Sequence, residues 1–188
     1  MPPGRYTVRL TANGQTLTQP LDVLKDPNEA ETLADIRAAG DALLALQRDH
    51  RAAAEMLGTI ENVRGQLQSL GAQSATTAEV RQAGDTLERK FMDVEAQLID
   101  LRLTGRGQDE VRYPVKAAGQ LNWLASGIGA SDFAPTSQQR DVQTILAKTV
   151  RDTRASLDRL LQRDLASFNG MLKARGLKTI DAGQPVVF

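Results

Sequence analysis

The chain has 188 residues, of which 41% are hydrophobic and only 4% aromatic, so its core must consist mainly of Leu, Ile, Val and Ala. Lys and Arg together number 23, as do Asp and Glu, and this balance disfavours a role in binding nucleic acid or anionic lipid. The chain has no cysteine, which excludes disulfides, thiolate metal ligands and a cysteine nucleophile.

The first 24 residues predict a β-hairpin. Apolar residues alternate with polar ones over 6–10, and the apolar residues of 17–23 share one face of the returning strand. Asn13-Gly14 lies between the strands and favours a type I′ turn, because both central residues of that turn need a positive φ. A two-stranded hairpin is marginally stable in water, so we expect this one to belong to a larger sheet.

A long helix is predicted next, after a break at Asp26-Pro27-Asn28. The helix should begin near Thr32, whose hydroxyl can cap it while Asp35 lies at the positive end of the helix dipole. Apolar residues on one helical face then continue to about Leu70.

A second helix should begin at Thr76 or Thr77, either of which can cap it. Its apolar residues recur at alternating steps of four and three from Val80 to Leu101. Two long helices joined by a short turn are expected to lie antiparallel.

Two further helices are predicted in the second half of the chain. Pro114 can open the third helix, since its missing N–H is not needed at the first helical position, and the apolar set ends at Ile128. Thr136 and Gln139 have the spacing of a capping box, and the fourth helix should end at Gly176. Four amphipathic helices must bury their apolar stripes against one another, so the predicted fold is mainly α, an antiparallel four-helix bundle preceded by a β-hairpin.

The predicted division of the chain is a hairpin over 1–27, a helical bundle over 28–176 and a C-terminal segment over 177–188. The C-terminal segment is equally consistent with a strand that returns to the hairpin and with a tail. No stretch of the sequence approaches the roughly 18 apolar residues that a membrane-spanning helix requires.

No catalytic, cofactor-binding or metal-binding residue is predicted. His50 is the only histidine, and a catalytic triad or zinc site would need partners from other helices, so we expect it at a partly buried helix seam or its edge. Acidic residues that lie close together in the sequence, such as Asp93 and Glu95, are expected on solvated faces.

Trp123, the only tryptophan, follows Asn122 on the predicted third helix. A tryptophan on a short helix more often packs at the edge of a bundle than serves as a platform for a sugar ring. An exposed Trp123 would favour the second interpretation. Trp123 and Asn122 are therefore the candidate contacts for a saccharide or a protein partner.

Short motifs in a fixed order carry a resemblance to a known family. They are Pro3-Gly4-Arg5-Tyr6-Thr7-Val8-Arg9-Leu10, Asn13-Gly14, Gln19-Pro20-Leu21, Asp26-Pro27, Tyr113-Pro114-Val115-Lys116 and Asp132-Phe133-Ala134-Pro135-Thr136. In this order they resemble the last strands of the Ig-like module, and the helical region after it, in bacterial sortilin-type β-propeller proteins with BNR repeats (Asp-boxes). Those proteins are often labelled glycosyl hydrolases or sialidase-like.

The resemblance implies that the hairpin closes an Ig-like sandwich that is incomplete in this chain. It also implies that the β-propeller, with any catalytic acids, lies upstream, and that the parent protein is periplasmic or secreted. No functional residue is carried over. The expected function is a non-catalytic structural or interaction module whose partners are the upstream propeller and Ig-like domains. A saccharide-binding accessory domain and a self-associating coiled-coil protein are the alternatives.

Overall fold

A computed structural model describes residues 2–73, 76–103 and 108–183. Within these ranges the chain is mainly helical, with one two-stranded antiparallel sheet at its N-terminal end, which confirms the predicted class. The strands are β1 (Gly4–Ala12) and β2 (Gln15–Val23). The helices are α1 (Leu33–Gly71), α2 (Ala78–Glu95), α3 (Asp109–Arg112), α4 (Ala117–Ile128), α5 (Ser137–Arg159), a π-helical segment (Leu160–Leu165) and α6 (Ala166–Ala174).

The hairpin has the predicted turn. Asn13 and Gly14 have φ angles of 50° and 74°, as a type I′ turn requires. Ala12 lies opposite Gln15, and the register continues without a bulge to the pair formed by Gly4 and Val23. Even-numbered residues of β1 therefore lie opposite odd-numbered residues of β2, which places the apolar residues of both strands on one face.

Two helix N-termini have the predicted capping boxes. The Asp35 N–H donates to Oγ1 of Thr32 at 3.1 Å, and the Thr32 N–H donates to Oδ2 of Asp35 at 2.9 Å. Thr136 and Gln139 form the same reciprocal pair, at 3.2 and 2.9 Å. Each box satisfies N–H groups that have no partner within the helix.

The two threonines before α2 have different roles. Thr77 is the N-cap, since its hydroxyl accepts a hydrogen bond from the Val80 N–H at 3.4 Å. The buried Thr76 hydroxyl instead donates to the carbonyl of Leu70 at 2.7 Å. Thr76 therefore satisfies a carbonyl at the C-terminus of α1, while Thr77 satisfies an N–H at the N-terminus of α2.

Gly176 ends α6, as the sequence predicts. Its φ is 68°, and the Leu177 N–H donates to the Leu172 carbonyl at 3.0 Å while the Gly176 N–H donates to the Lys173 carbonyl at 3.1 Å. These two bonds form a Schellman motif, in which a left-handed residue is needed just beyond the helix.

The second and third helices are shorter than the sequence predicts. The second ends at Glu95, although the apolar pattern continues to Leu101, and the third begins at Ala117 and not at Pro114. Leu98 remains fully buried from a turn, and its carbonyl accepts a hydrogen bond from the Ala118 N–H at 3.0 Å. The pattern correctly predicted that Leu98 is buried but not that its backbone forms a turn, because a side chain can lie in the core whether its backbone is a turn or a helix.

A π-helical segment joins α5 to α6 without a break. The backbone stays in the right-handed helical region at Leu160 (φ −65°, ψ −43°) and at Ala166 (φ −61°, ψ −41°). The buried residues of α5 follow steps of three and four up to Leu160, and the next buried residue is Leu165, five positions later. The predicted fourth helix is therefore one long helix with a π-helical interior.

Side-chain contacts define the direction of the long helix formed by α5, the π-helical segment and α6 relative to α1 and α2. Gln143 Nε2 donates to the Ala42 carbonyl at 3.2 Å and Arg154 Nη2 to the Ala52 carbonyl at 3.3 Å, so α5 runs parallel to α1. Arg175 Nη2 bonds Glu79 Oε2 at 2.7 Å, and Lys90 pairs with Asp164, so the long last helix runs antiparallel to α2.

The helices α2 and α4 lie end to end along α1. Arg64 and Gln68 of α1 contact acidic side chains of α2, whereas residues 43–54 of α1 face residues 121–125 of α4. At 1.5 Å per residue, α1 is roughly 58 Å long and α2 and α4 are roughly 27 and 18 Å, so α1 is long enough to pack against both. Among the described residues α1 therefore packs against α2, α4 and α5, while α2 and α4 do not pack against each other. The prediction placed four antiparallel helices side by side.

The core is made mainly of aliphatic residues, as composition predicts, with one methionine and two phenylalanines. No strand residue belongs to it. Its fully buried members, at 0% exposure, are Ala53, Met56, Ile60, Val63, Val80, Phe91, Leu98, Leu157 and Leu172.

The described part of the C-terminal segment, 177–183, packs on the helices. Ile180 is buried, and its N–H and carbonyl both bond the side-chain amide of Asn169 at 2.8 Å. The Asp181 carbonyl accepts from Gln66 at 2.6 Å and from Asn62 at 3.0 Å. Within the described residues the sheet has only two strands, so 177–183 do not return to the hairpin, and 184–188 lie outside the described residues.

Because no strand residue belongs to the core, a substitution in the core should lower the free energy of unfolding more than a substitution in the strands. Phe91→Ala should lower the free energy of unfolding by about 3–5 kcal/mol, since it leaves a cavity in the core. Leu10→Ala, at a side chain that is 60% exposed, should lower it by less than about 0.5 kcal/mol. Urea unfolding followed by helical circular dichroism measures both, and similar losses would show that the hairpin packs on the helices.

Candidate functional site

An apolar surface on the hairpin is the first candidate site. We call it the hairpin face, and it consists of Tyr6, Val8, Leu10, Leu17 and Leu21. The four aliphatic members are 51%, 60%, 64% and 42% exposed in that order, and no described helix packs on either strand. Water-exposed aliphatic residues clustered on one face of a sheet are typical of an interaction surface.

The opposite face of the hairpin is polar. Arg5 Nε lies 3.9 Å from Asp22 Oδ1 across the strands, and both side chains are mostly exposed. The Thr11 and Thr16 hydroxyls lie 3.1 Å apart. Since this face is already suited to water, only the hairpin face needs to be covered.

A groove of about 690 Å³ between α1 and α4 is the second candidate site. Leu46 and Leu121, each only 1% exposed, lie at its base. Its polar lining consists of Gln47, Arg48, His50, Arg51 and Asn122. The lining contains arginines, a histidine and amides but no carboxylate, so it is suited to an anionic or hydrogen-bonding ligand.

The structure separates the two candidate contacts, Trp123 and Asn122. Asn122 lines the groove between α1 and α4, whereas Trp123 does not, because successive residues of a helix point about 100° apart. Trp123 is 56% exposed. The sequence favoured packing of Trp123 at the edge of the bundle over a role as a sugar platform, and this exposure is the observation that would favour the second interpretation. His50 lies at the exposed edge of the seam between α1 and α4.

A buried charge cluster joins α1 to α2. Arg64 Nη1 lies 2.5 Å from Glu95 Oε2, and Arg64 Nε lies 3.6 Å from Glu88 Oε1, which also accepts a hydrogen bond from Gln68 at 2.6 Å. Glu95 is only 1% exposed. The prediction that this carboxylate is solvated is wrong. Its position four residues after Phe91 and three before Leu98 placed it on the apolar stripe, and that spacing could have predicted its burial.

The burial of Glu95 raises its pKa, the Arg64 guanidinium opposes that rise, and the nearby Glu61 adds to it. The Arg64 guanidinium therefore offsets part of the desolvation that accompanies the burial of this carboxylate. This arrangement serves the contact between α1 and α2.

A second charged cluster lies where the chain leaves α2. Asp100 accepts from Arg102 Nε at 2.9 Å and Nη2 at 2.7 Å, and these bonds lower the pKa of Asp100 to about 2. The Arg102 guanidinium lies 4.3 Å from the centroid of the Tyr113 ring. The bidentate pair and the cation–π contact hold Tyr113 close to residues 100–102.

The described residues contain no group of three or more His, Asp or Glu side chains that could hold a metal ion. None of the described helices is long and apolar enough to cross a membrane.

Comparisons of the chain with protein-family models, curated proteins and solved structures found no match.

The buried charge cluster allows a specific test of the contact between α1 and α2. Arg64→Met leaves the Glu95 carboxylate buried without its cation and should lower the free energy of unfolding at pH 7 by about 3–5 kcal/mol. The double variant R64M/E95Q should recover most of that loss, because the amide is neutral. Urea unfolding measures all three proteins, and equal stability of R64M and the wild type would contradict the burial of the pair.

The same variant should change the pH dependence of stability. Because the raised pKa lets the native state bind the Glu95 proton more tightly than the unfolded chain, the contribution of Glu95 to stability increases as the pH falls through the raised value towards 4.5. In R64M the opposing guanidinium is gone, so this increase should be larger than in the wild type.

Proposed function

We propose that this chain is a non-catalytic structural and interaction module, whose hairpin completes a β-sheet of a larger protein. The hairpin serves as the closing strands of an Ig-like module, and the helices form a bundle that follows it, as in the bacterial BNR-repeat propeller proteins that the sequence motifs resemble. The upstream domains of such a parent protein are the natural partners.

The single observation that carries this proposal is the exposed hairpin face. Leu10 and Leu17 lie opposite each other and are 60% and 64% exposed. Covering an apolar side chain of this size removes it from water and contributes roughly 1.5–3 kcal/mol when burial is complete. A partner that covered the four aliphatic side chains would therefore gain several times the energy of one contact.

The construction of the helical part supports the same proposal. Its core is complete without any strand residue, so the helices do not need the hairpin to fold. The hairpin, by contrast, is a two-stranded sheet with one wet face and one apolar face, and such a unit is marginal by itself. An independent helical part that carries a dependent hairpin is suited to joining one domain to another.

The hairpin face should make the isolated chain bind an apolar dye and self-associate weakly. The double variant L10T/L17T introduces polar β-branched residues, which are favourable in strands, and should reduce the fluorescence of bound anilinonaphthalene sulfonate to less than about half. Ile145→Thr is the matched control, since Ile145 is 64% exposed and its helix, α5, does not contact either strand.

Sedimentation at several concentrations completes this test. We expect the wild type to associate and L10T/L17T to be monomeric. Association that survives L10T/L17T would favour pairing of the long helices between chains, and would contradict the role of the hairpin face.

A saccharide-binding accessory domain is the second candidate function, and the 56% exposure of Trp123 favours it. An exposed indole offers a flat apolar surface to a sugar ring, and Asn122 and the arginines of the neighbouring groove offer hydrogen bonds.

Titration with a carboxylated and a neutral oligosaccharide, followed by the fluorescence of Trp123, tests this second function. Binding should shift the fluorescence emission, because Trp123 is the only tryptophan. Asn122→Ala should weaken the binding of the oligosaccharide by about 1 kcal/mol through the loss of one hydrogen bond. Unchanged emission with both oligosaccharides would rule this function out.

A further inference from the structure

We propose that the outer edge of β1 binds an extended segment in which acidic and apolar residues alternate, so that this segment becomes a third strand beside β1. This inference rests on the proposed function, and it identifies the edge of the hairpin and the chemistry of the segment that completes the sheet.

The turn determines which backbone groups point outward. In a hairpin closed by a two-residue turn, the pair next to the turn exchanges both of its hydrogen bonds, and bonded and non-bonded pairs then alternate along the ladder. Ala12 and Gln15 are that first pair. The outward groups of β1 therefore belong to Arg5, Thr7, Arg9 and Thr11, and those of β2 to Thr16, Thr18, Pro20 and Asp22.

The two edges are not equivalent. Every outward position of β1 has both an N–H and a carbonyl, whereas Pro20 leaves the β2 edge without an N–H at its centre. Proline within a strand is typical of an edge that does not receive a further strand. The β1 edge is consequently the one that can accept a full ladder of hydrogen bonds.

Charge identifies the segment that fits this edge. The side chains of the outward β1 positions lie on the polar face and include Arg5 and Arg9 but no acid. Arg5 is 3.9 Å from Asp22, while Arg9 lies opposite Thr18 and has no ion-pair partner among the described residues. Acidic residues directly opposite Arg5 and Arg9 on an added strand would form favourable cross-strand pairs.

The same charges disfavour a second copy of β1 as the added strand. Antiparallel pairing of two copies would place the Arg5 and Arg9 side chains of both chains on one face, with no acidic residue of either β1 strand to neutralise them. Like charges across neighbouring strands are destabilising. The intervening residues of the added strand would lie beside Val8 and Leu10, so they should be apolar and extend the hairpin face.

Two peptides test this inference on the full chain. The first is an acetylated seven-residue peptide in which valine alternates with glutamate, and the second has lysine in place of glutamate. The glutamate peptide should bind at least about fivefold more tightly, since two cross-strand charge pairs change sign between the peptides. Amide hydrogen exchange measured by NMR should show new protection at Thr7, Arg9 and Thr11.

Matched variants show whether the peptide binds at the edge of β1 or at the edge of β2. Thr7→Pro removes an outward N–H from β1, and Thr18→Pro removes one from β2, both at positions that are not bonded within the hairpin. T7P should weaken binding of the glutamate peptide at least about fivefold, whereas T18P should leave it unchanged. Arg9→Glu keeps the backbone intact and provides a test that does not depend on proline. It should abolish the preference between the two peptides, because Arg5 still favours glutamate while Glu at position 9 favours lysine.

Protection at Thr16 and Thr18 in place of β1, equal binding of both peptides, or no binding while the amides within the hairpin stay protected would each overturn the inference. The failure of the proposed function is distinguishable. If binding of the glutamate peptide is lost in L10T/L17T but kept in T7P, the hairpin face docks a partner without strand pairing. If L10T/L17T and T7P both still bind the dye and self-associate as the wild type does, the proposed function itself is contradicted.

Discussion

The fold depends on the unbroken apolar stripe of α1. Met56, Ile60 and Val63 have no exposed surface, and the helix that carries them contacts α2, α4 and α5. Short helices gain most of their stability from tertiary packing and not from intrinsic propensity. The twelve-residue α4 is therefore stabilised mainly by burying side chains such as Leu121 and Ile128 against its neighbours.

The buried pair of Arg64 and Glu95 lies at the point where this arrangement changes from α2 to α4. Glu95 is the last residue of α2, and Leu98, three residues later, already bonds the first turn of α4. A buried ion pair gains little net stability, because desolvation offsets its attraction. Its geometry is nevertheless specific, and we interpret it as the contact that sets the register of α2 on α1.

Much of the fold could be predicted from the sequence, because its determinants are local. The turn at Asn13-Gly14, the caps at Thr32 and Thr136 and the C-terminal Gly176 each depend on residues within one turn of chain. The end-to-end placement of α2 and α4 could not be predicted, since a helix buries the same stripe whether its neighbours lie beside each other or in line. The partners of Glu95 also come from another helix, more than 30 positions away for Arg64.

The candidate sites, like the fold, could be predicted from the sequence where they depend on local patterns and not where they depend on packing between helices. The apolar hairpin face follows from strand alternation, and its exposure follows from the lack of further strands in the pattern. Asn122 was identified from its neighbour Trp123, but the groove that it lines depends on how α4 packs against α1. The apolar pattern of a helix does not show which other helix it packs against. The arginines of α1 that line the groove could therefore not be assigned to a site.

The π-helical segment between α5 and α6 has a consequence for how the chain tolerates changes in length. The step of five residues from Leu160 to Leu165 equals the hydrogen-bond spacing of a π-helix, so the extra residue is absorbed within one turn and Phe168 and Leu172 remain buried. Such a segment is equivalent to a one-residue insertion confined to a single turn. The last helix thereby keeps one continuous buried face although its sequence departs from the seven-residue repeat.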